Sequence, residues 1–246
     1  MQREREQETN LYLIRHGESV PNVEPIIGGP KGDTGLTDRG REQARVLEHR
    51  LQRSGIKADV LYTSTLPRAL ETSEYVSRAL GLEPEQDEEL QELRPGEADG
   101  LTRDEWLRRY HTRGGAGADP LDPFAEDAGD PFTPFSPGGE SWGSFLLRTG
   151  IALNRLVRKH RGQTVVAVCH GGVLEASFFL AFGIGPTGNR VLFDPLNTSI
   201  THWRWGARRG GFDTWTLVRF NDVGHLDLAG LTGESLEAIP TPVERD

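Results

Sequence analysis

The stretch Leu11-Tyr12-Leu13-Ile14-Arg15-His16-Gly17-Glu18-Ser19 begins with four apolar or aromatic residues and breaks at Arg-His-Gly. The run has the composition of a buried β-strand. Nothing in strand packing calls for an adjacent Arg and His at its end, and Gly17 lets the backbone turn sharply or come close to a ligand. Open α/β sheets keep their ligand chemistry just outside the carboxyl ends of the strands. Arg15 and His16 are therefore either ligand-facing residues or two solvated residues that close a strand. The rest of the chain decides between these readings.

A second strand of continuous apolar, β-branched character, Thr164-Val165-Val166-Ala167-Val168-Cys169, ends at His170-Gly171-Gly172. A helix is expected after it, over Val173 to Ala181. Ala58 to Tyr62 reads as another strand. It leads through Ser64-Thr65-Leu66-Pro67, with Pro in a first helical turn, into a helix that carries Arg68 and stops at Gly81. Thr37 or Asp38 caps an earlier helix, whose Ala44, Leu47 and Leu51 recur at helical spacing. Thr198 to Trp205 and Thr214 to Phe220 read as the last strands, and Arg103 to His111 as a short helix. Strands alternating with helices predict an α/β fold, a three-layer α/β/α sandwich with a mainly parallel central sheet.

Length and composition narrow the function. The chain has 246 residues, which suits one α/β domain with an insertion. Its 28 Lys and Arg against 37 Asp and Glu leave a net charge of −9. That balance argues against nucleic acid or an anionic membrane as partner. With one cysteine no internal disulfide can form, so a reducing, cytoplasmic location is expected. No apolar stretch is long enough for a membrane span. Residues 1–9 are expected to be a disordered tail, 10–226 a single domain, and 227–246 a polar tail. Within the domain, about 103–140 is expected to be a lid-like insertion, because Thr112 to Gly139 is dominated by Gly, Pro, Ala and Asp. Phe124, Phe132 and Phe135 in it either form an apolar lid or pack the insertion onto the domain. Oligomeric state, including a homodimer, is left open.

In a parallel sheet the three strand ends lie on one edge, so two His and two Arg can converge. A phosphoryl group suits such a place. Arg15 and Arg68 can each donate paired hydrogen bonds to phosphate oxygens. The helix after His170 offers backbone N–H groups, and a neutral imidazole can attack phosphorus. Taken singly, each part has a plainer explanation: Cys169 is a small buried hydrophobe, Arg68 a surface helix residue, Glu92 a solvated carboxylate. Together they are hard to explain that way.

Several motifs carry a more specific signal. They are Leu13-Ile14-Arg15-His16-Gly17-Glu18-Ser19 followed by Asn22; Gly35-Leu36-Thr37 with Gly40, Gln43 and Ala44; Ser64-Thr65-Leu66-Pro67-Arg68-Ala69 with Thr72; Leu90-Gln91-Glu92 with Gly96 and Gly100; and Val168-Cys169-His170-Gly171-Gly172. With these the chain, from Asn10 to about Leu226, resembles the histidine phosphatase superfamily, also called phosphoglycerate mutase-like. The resemblance implies that His16 is a nucleophile that becomes a phosphohistidine. It implies that Arg15, Arg68, His170 and Gly171 line the phosphate pocket, with Asn22 as a further donor, and that Glu92 is the general acid. Glu97 competes for that last role but fits the family spacing less well. Thr34 and Gly35 match positions that contact substrate in the mutase branch. No metal and no cofactor are expected, since arginines and histidines supply the positive field.

The mutase branch usually carries His-Gly-Asn-Ser after its second His strand, whereas this chain has His170-Gly171-Gly172-Val173. Pro137-Gly138-Gly139-Glu140-Ser141 before a helix looks like the phosphatase branch. Arg108 and Arg109 are a poor match for an Arg-rich, phosphoglycerate-gripping insertion. The expectation is a phosphatase acting on a small phosphorylated substrate. A mutase, or a weakly active phosphoryl-binding module, is the alternative.

Overall fold

Strand β1 (Thr9–Arg15) sends alternate side chains into two cores, as the two-residue period of a strand requires. In the computed structural model, which describes residues 8–110, 130–185, 193–207 and 212–232, Leu11 and Leu13 point to one face of the sheet and Ile14 to the other. The first face packs against α5 (Trp142–Lys159) and α6 (Gly171–Phe182) through Phe145, Leu153, Leu156, Val173, Leu174 and Phe178. The second packs against α2 (Asp38–Ser54) and α3 (Pro67–Leu80) through Leu47, Leu51, Ala69 and Val76. Strand β4 (Thr164–Cys169) is divided the same way, which is why it reads as unbroken apolar sequence. The expected three-layer α/β/α sandwich is what forms.

The six strands, with β2 (Val60–Thr63), β3 (Pro84–Gln86), β5 (Ile200–Ala207) and β6 (Asp213–Asp222), lie in the order β3-β2-β4-β1-β5-β6. The first four are mutually parallel; β5 is antiparallel to β1, and β6 to β5. Three short helices complete the described chain: α1 (Val20–Val23), α4 (Arg103–Tyr110) and α7 (Gly224–Ala229). Helix α7 runs past position 226, where a loose tail was expected to start, because Leu226 and His225 are buried. The strand expected from Thr198 starts only at Ile200. Thr198 takes φ +55° and turns its N–H back to the carbonyls of Arg15 and His16, at 3.0 and 3.2 Å. Helix α6 starts at Gly171 rather than Val173.

Register fixes where the chemistry falls. Arg15 stands opposite Cys169, and Thr63 opposite Val168. The ladder continues one step beyond both strands: His16 N donates to Cys169 O at 3.0 Å, and Ser64 N to Val168 O at 2.9 Å. His16, Ser64 and His170 thereby emerge side by side on one edge. The turn after His16 is pressed against the first turn of α2. A Cβ on Gly40 would lie 1.9 Å from Glu18 O, and one on Gly17 2.6 Å from Gly40 O. Thr37 caps α2 by accepting from Gly40 N at 3.0 Å. Gln43 reaches back to accept from Glu18 N at 2.8 Å. Among the described residues no helix is long and apolar enough to cross a membrane.

Candidate active site

His16 and His170 face each other across the sheet edge, their ring centroids 5.1 Å apart. His16 Nδ1 lies 2.7 Å from Gly17 O, which can only accept, so Nδ1 carries the hydrogen and Nε2 the lone pair. Arg68 Nε donates to that lone pair at 3.1 Å. Burial, then the charges of Arg68 and Arg15, hold His16 well below the ordinary imidazole pKa. At neutral pH the ring is uncharged. His16 O accepts from Asn197 Nδ2 at 3.1 Å, and Gly17 N donates to Thr72 Oγ1 at 3.0 Å, so the strand end is held on both sides.

Arg68 enters from the first turn of α3, where Pro67 starts the helix. Its Nη1 donates to Asp33 Oδ2 at 2.9 Å and to Gly28 O at 3.0 Å, and its backbone N to Asp33 Oδ2 at 3.2 Å. This ion pair is buried, with 6% and 0% of the two side chains exposed. Arg15 donates from Nη1 to Pro195 O, while its Nε is buried without a partner among the described residues. His170 has no exposed surface. Its Nε2 lies 2.7 Å from Ser64 Oγ, and its Nδ1 has no partner among the described residues. Burial, then Arg68, His16 and Arg15, hold it well below its ordinary pKa, so this ring too is neutral. Ser64 Oγ also accepts from Leu66 N at 3.3 Å; with a second lone pair and its own hydrogen it can pair with His170 Nε2 in either ring tautomer.

Glu92 comes from the loop after a short 3-10 turn (Glu88–Leu90). Its Oε2 accepts from Gly172 N, in the first turn of α6, at 3.0 Å, and its Oε1 from Leu93 N at 2.9 Å. A Cβ on Gly172 would lie 2.2 Å from Glu92 Oε1, so a side chain at 172 and this carboxyl placement exclude each other. The loop itself is clamped by Arg148 of α5, which donates to the carbonyls of Glu89, Gln91 and Glu92 at 2.7, 3.1 and 3.2 Å. Glu140 holds Arg148 in turn, at 2.6 Å. The Pro-Gly-Gly-Glu-Ser segment thus supports Glu92 through Glu140 and caps α5 through Ser141. Glu97, the competitor, is exposed and accepts from Tyr110 Oη at 3.3 Å.

The other sequence candidates are more peripheral. Asn22 is exposed; its Oδ1 accepts from Ser19 N at 3.1 Å and from Asn197 Nδ2 at 3.3 Å. Thr34 is exposed, and Gly35, at φ +98°, donates its N–H to Asp33 Oδ1 at 2.9 Å. Gly171 lies against Arg15, whose Nε would be 3.6 Å from a Cβ there. Phe135 stacks on Trp106, centroids 4.4 Å apart, and its carbonyl accepts from Trp106 Nε1, so it packs the insertion onto α4. Phe132 lies over Gly143 of α5. Phe135 thus serves packing, Phe132 is 64% exposed, and Phe124 lies outside the described residues. Arg108 and Arg109 are exposed on α4. Cys169 is buried and burial raises its thiol pKa, the state of a small inert hydrophobe. Among the described residues no three or more His, Cys, Asp or Glu side chains group where they could hold a metal ion.

Asp33, Arg148, Asn197 and Pro195 were not singled out from sequence, and Ser64 was named only as part of the Arg68 motif, with no role of its own. The one available signal was Gly32-Asp33-Thr34-Gly35, a turn composition that does not say its carboxylate meets an arginine 35 positions away.

A profile of the histidine phosphatase superfamily (branch 1) matches residues 11–222. The chain belongs to that superfamily. A relative from Brucella anthropi, a 2,3-bisphosphoglycerate-dependent phosphoglycerate mutase, is 31% identical over 195 residues, which is 77% of this chain and 88% of that protein. Among solved structures, YhfR of Bacillus stearothermophilus is 32% identical, with a TM-score of 0.68 over 89% of this chain and 99% of its own. A phosphoserine phosphatase variant from Entamoeba histolytica, in complex with phosphoserine, is 27% identical, with a TM-score of 0.67 over the same shares. The superfamily comprises phosphatases and mutases, and both kinds stand among the relatives of this histidine phosphatase superfamily member.

Proposed function

We propose that this enzyme hydrolyses phosphate monoesters through a phosphohistidine on His16. The observation that carries the proposal is the state of His16: a neutral imidazole, its Nδ1 tied to Gly17 O, with the Nε2 lone pair directed at Arg68 between the two site arginines and His170. In the first step Nε2 attacks phosphorus and the bond to the leaving oxygen breaks. Arg68 must release the lone pair to the phosphoryl group, while its guanidinium and that of Arg15 take up the charge on the non-bridging oxygens. With its hydrogen on Nδ1, which has no partner among the described residues, His170 would donate to one of those oxygens. Glu92, protonated, gives its proton to the leaving oxygen. In the second step Glu92, now a carboxylate, takes a proton from water as the water oxygen attacks phosphorus. The P–N bond breaks, inorganic phosphate leaves, and His16 is neutral again.

Gly172 supports hydrolysis over transfer to a second phosphorylated acceptor. It stands where the mutase branch usually has Asn, and with no side chain there the Glu92 carboxyl lies against the first turn of α6, accepting from Gly172 N at 3.0 Å. The mutase relative keeps the alternative in view, so a phosphoglycerate mutase assay primed with 2,3-bisphosphoglycerate belongs beside the phosphatase assay.

Leaving-group dependence tests the general acid. In Glu92→Gln, kcat/KM for an alkyl phosphate should fall about a hundred- to ten-thousandfold. For p-nitrophenyl phosphate, whose leaving group departs without a proton, it should fall less than about tenfold. Equal losses for both esters would remove Glu92 from that role.

A further inference from the structure

Glu175 sits on α6 one turn beyond Gly171, on the face turned toward Arg15. Its Oε1 accepts from Phe193 N at 3.3 Å. Two residues on, Pro195 O accepts from Arg15 Nη1. The segment that holds the arginine is therefore tied to α6 by this hydrogen bond and by Phe193 stacking on Phe178, ring centroids 4.1 Å apart. Glu175 also acts on Arg15 through its charge, together with Glu92 and Asp194. No other titratable side chain belongs to α6.

We propose that Glu175 is a positioning residue of the phosphate pocket: acting through Arg15, its carboxyl group sets how strongly that guanidinium holds an anion. The inference rests on the reading of Arg15 as an anion ligand given above. Uncharged, Glu175 keeps its hydrogen bond to Phe193 and leaves the full positive charge of Arg15 to the phosphoryl group. Ionised, it opposes that charge from close by.

The groups that face Glu175 among the described residues are Arg15 from β1, Glu92 from the loop before α4, and Asp194 beside Phe193. Burial raises the Glu175 pKa to about 7; Glu92 and Asp194 add to the rise, and the Phe193 N–H and Arg15 work against it. Anion binding should therefore be tight where Glu175 is protonated and weaken as pH rises through about 7.

The test is the Kd of inorganic phosphate, by calorimetry, in wild type, Glu175→Gln and Glu175→Asp, at about pH 5.5 and about pH 8.5. Gln keeps an oxygen for Phe193 N but cannot ionise; Asp keeps an ionisable carboxyl. Phosphate's own titration is common to all three proteins and cancels in ratios. Wild-type Kd divided by that of Glu175→Gln should be near one at the lower pH and roughly three to ten at the higher. Glu175→Asp should follow wild type. A ratio that does not change with pH, an Asp variant that follows Gln, or loss of phosphate binding by Glu175→Gln at both pH values would overturn the proposal. The readout is equilibrium binding, so it is independent of turnover: a protein that binds phosphate with this pH dependence but hydrolyses no ester would refute the phosphatase reading alone. Wild type that binds no phosphate would overturn the role of Arg15 and this inference with it.

Discussion

His16→Ala is expected to lower kcat for p-nitrophenyl phosphate about ten-thousandfold or more while leaving inorganic phosphate binding within about tenfold of wild type. The imidazole is the group removed that forms a bond to phosphorus, and no neighbour can replace it. His170 Nε2 is engaged by Ser64 Oγ at 2.7 Å. Arg15 and Arg68 stay charged and cannot act as nucleophiles. The fold should persist, because position 16 is held by its backbone: N to Cys169 O, and O to Thr198 N and Asn197 Nδ2. Steady-state kinetics with a circular dichroism spectrum of the variant checks both halves. A rate within tenfold of wild type would mean that the nucleophile is elsewhere.

Replacing Arg68 should have the second largest effect, and two variants separate its charge from its shape. Arg68→Lys keeps a positive charge but loses the planar fork that reaches His16 Nε2, Asp33 and Gly28 O together. Its kcat/KM should fall about a hundred- to a thousandfold. Arg68→Met also removes the charge and leaves the fully buried Asp33 carboxylate with only the backbone N–H groups of Arg68 and Gly35 as partners, at a cost of up to about 3–5 kcal/mol in stability by urea unfolding. The pH profile carries a further sign. After burial, Arg68 is the largest influence that depresses the His16 pKa. Without that charge the pKa rises, and because His16 must be neutral to attack, the acid limb of kcat/KM moves to higher pH in Arg68→Met and stays near its place in Arg68→Lys. A limb unmoved in Arg68→Met would show that Arg68 does not tune His16.

Those parts of the site that end strands were readable from the chain alone. Leu11 to Ile14 and Val165 to Cys169 are apolar because both sheet faces are covered, and charged residues that follow such runs stand out. Helix punctuation was equally visible at Thr37, Pro67 and Gly81. What could not be read is whatever depends on partners distant in sequence. Asp33, Arg148 and Pro195 are ordinary loop or helix residues until the fold brings Arg68, the Glu92 loop and Arg15 to them. Glu175 sits in an apolar helix, and only the approach of Phe193 and Arg15 gives its carboxyl a setting. The direction of β5 was hidden too, since alternation does not encode polarity along the sheet. Pro84–Gln86 has no apolar pattern because it is a three-residue edge strand with one neighbour. Thr198 looked like strand, but its hydrogen bonds to the His16 turn outweigh local preference.

The covalent intermediate is the claim on which the catalytic account depends. Wild type mixed with p-nitrophenyl [32P]phosphate and quenched in base should carry label that is stable to alkali, lost in acid, and recovered in the peptide containing His16; Glu92→Gln should accumulate more of it when water attack is slowed. Turnover with no trapped label in either protein, or label recovered on a peptide lacking His16, would contradict the account.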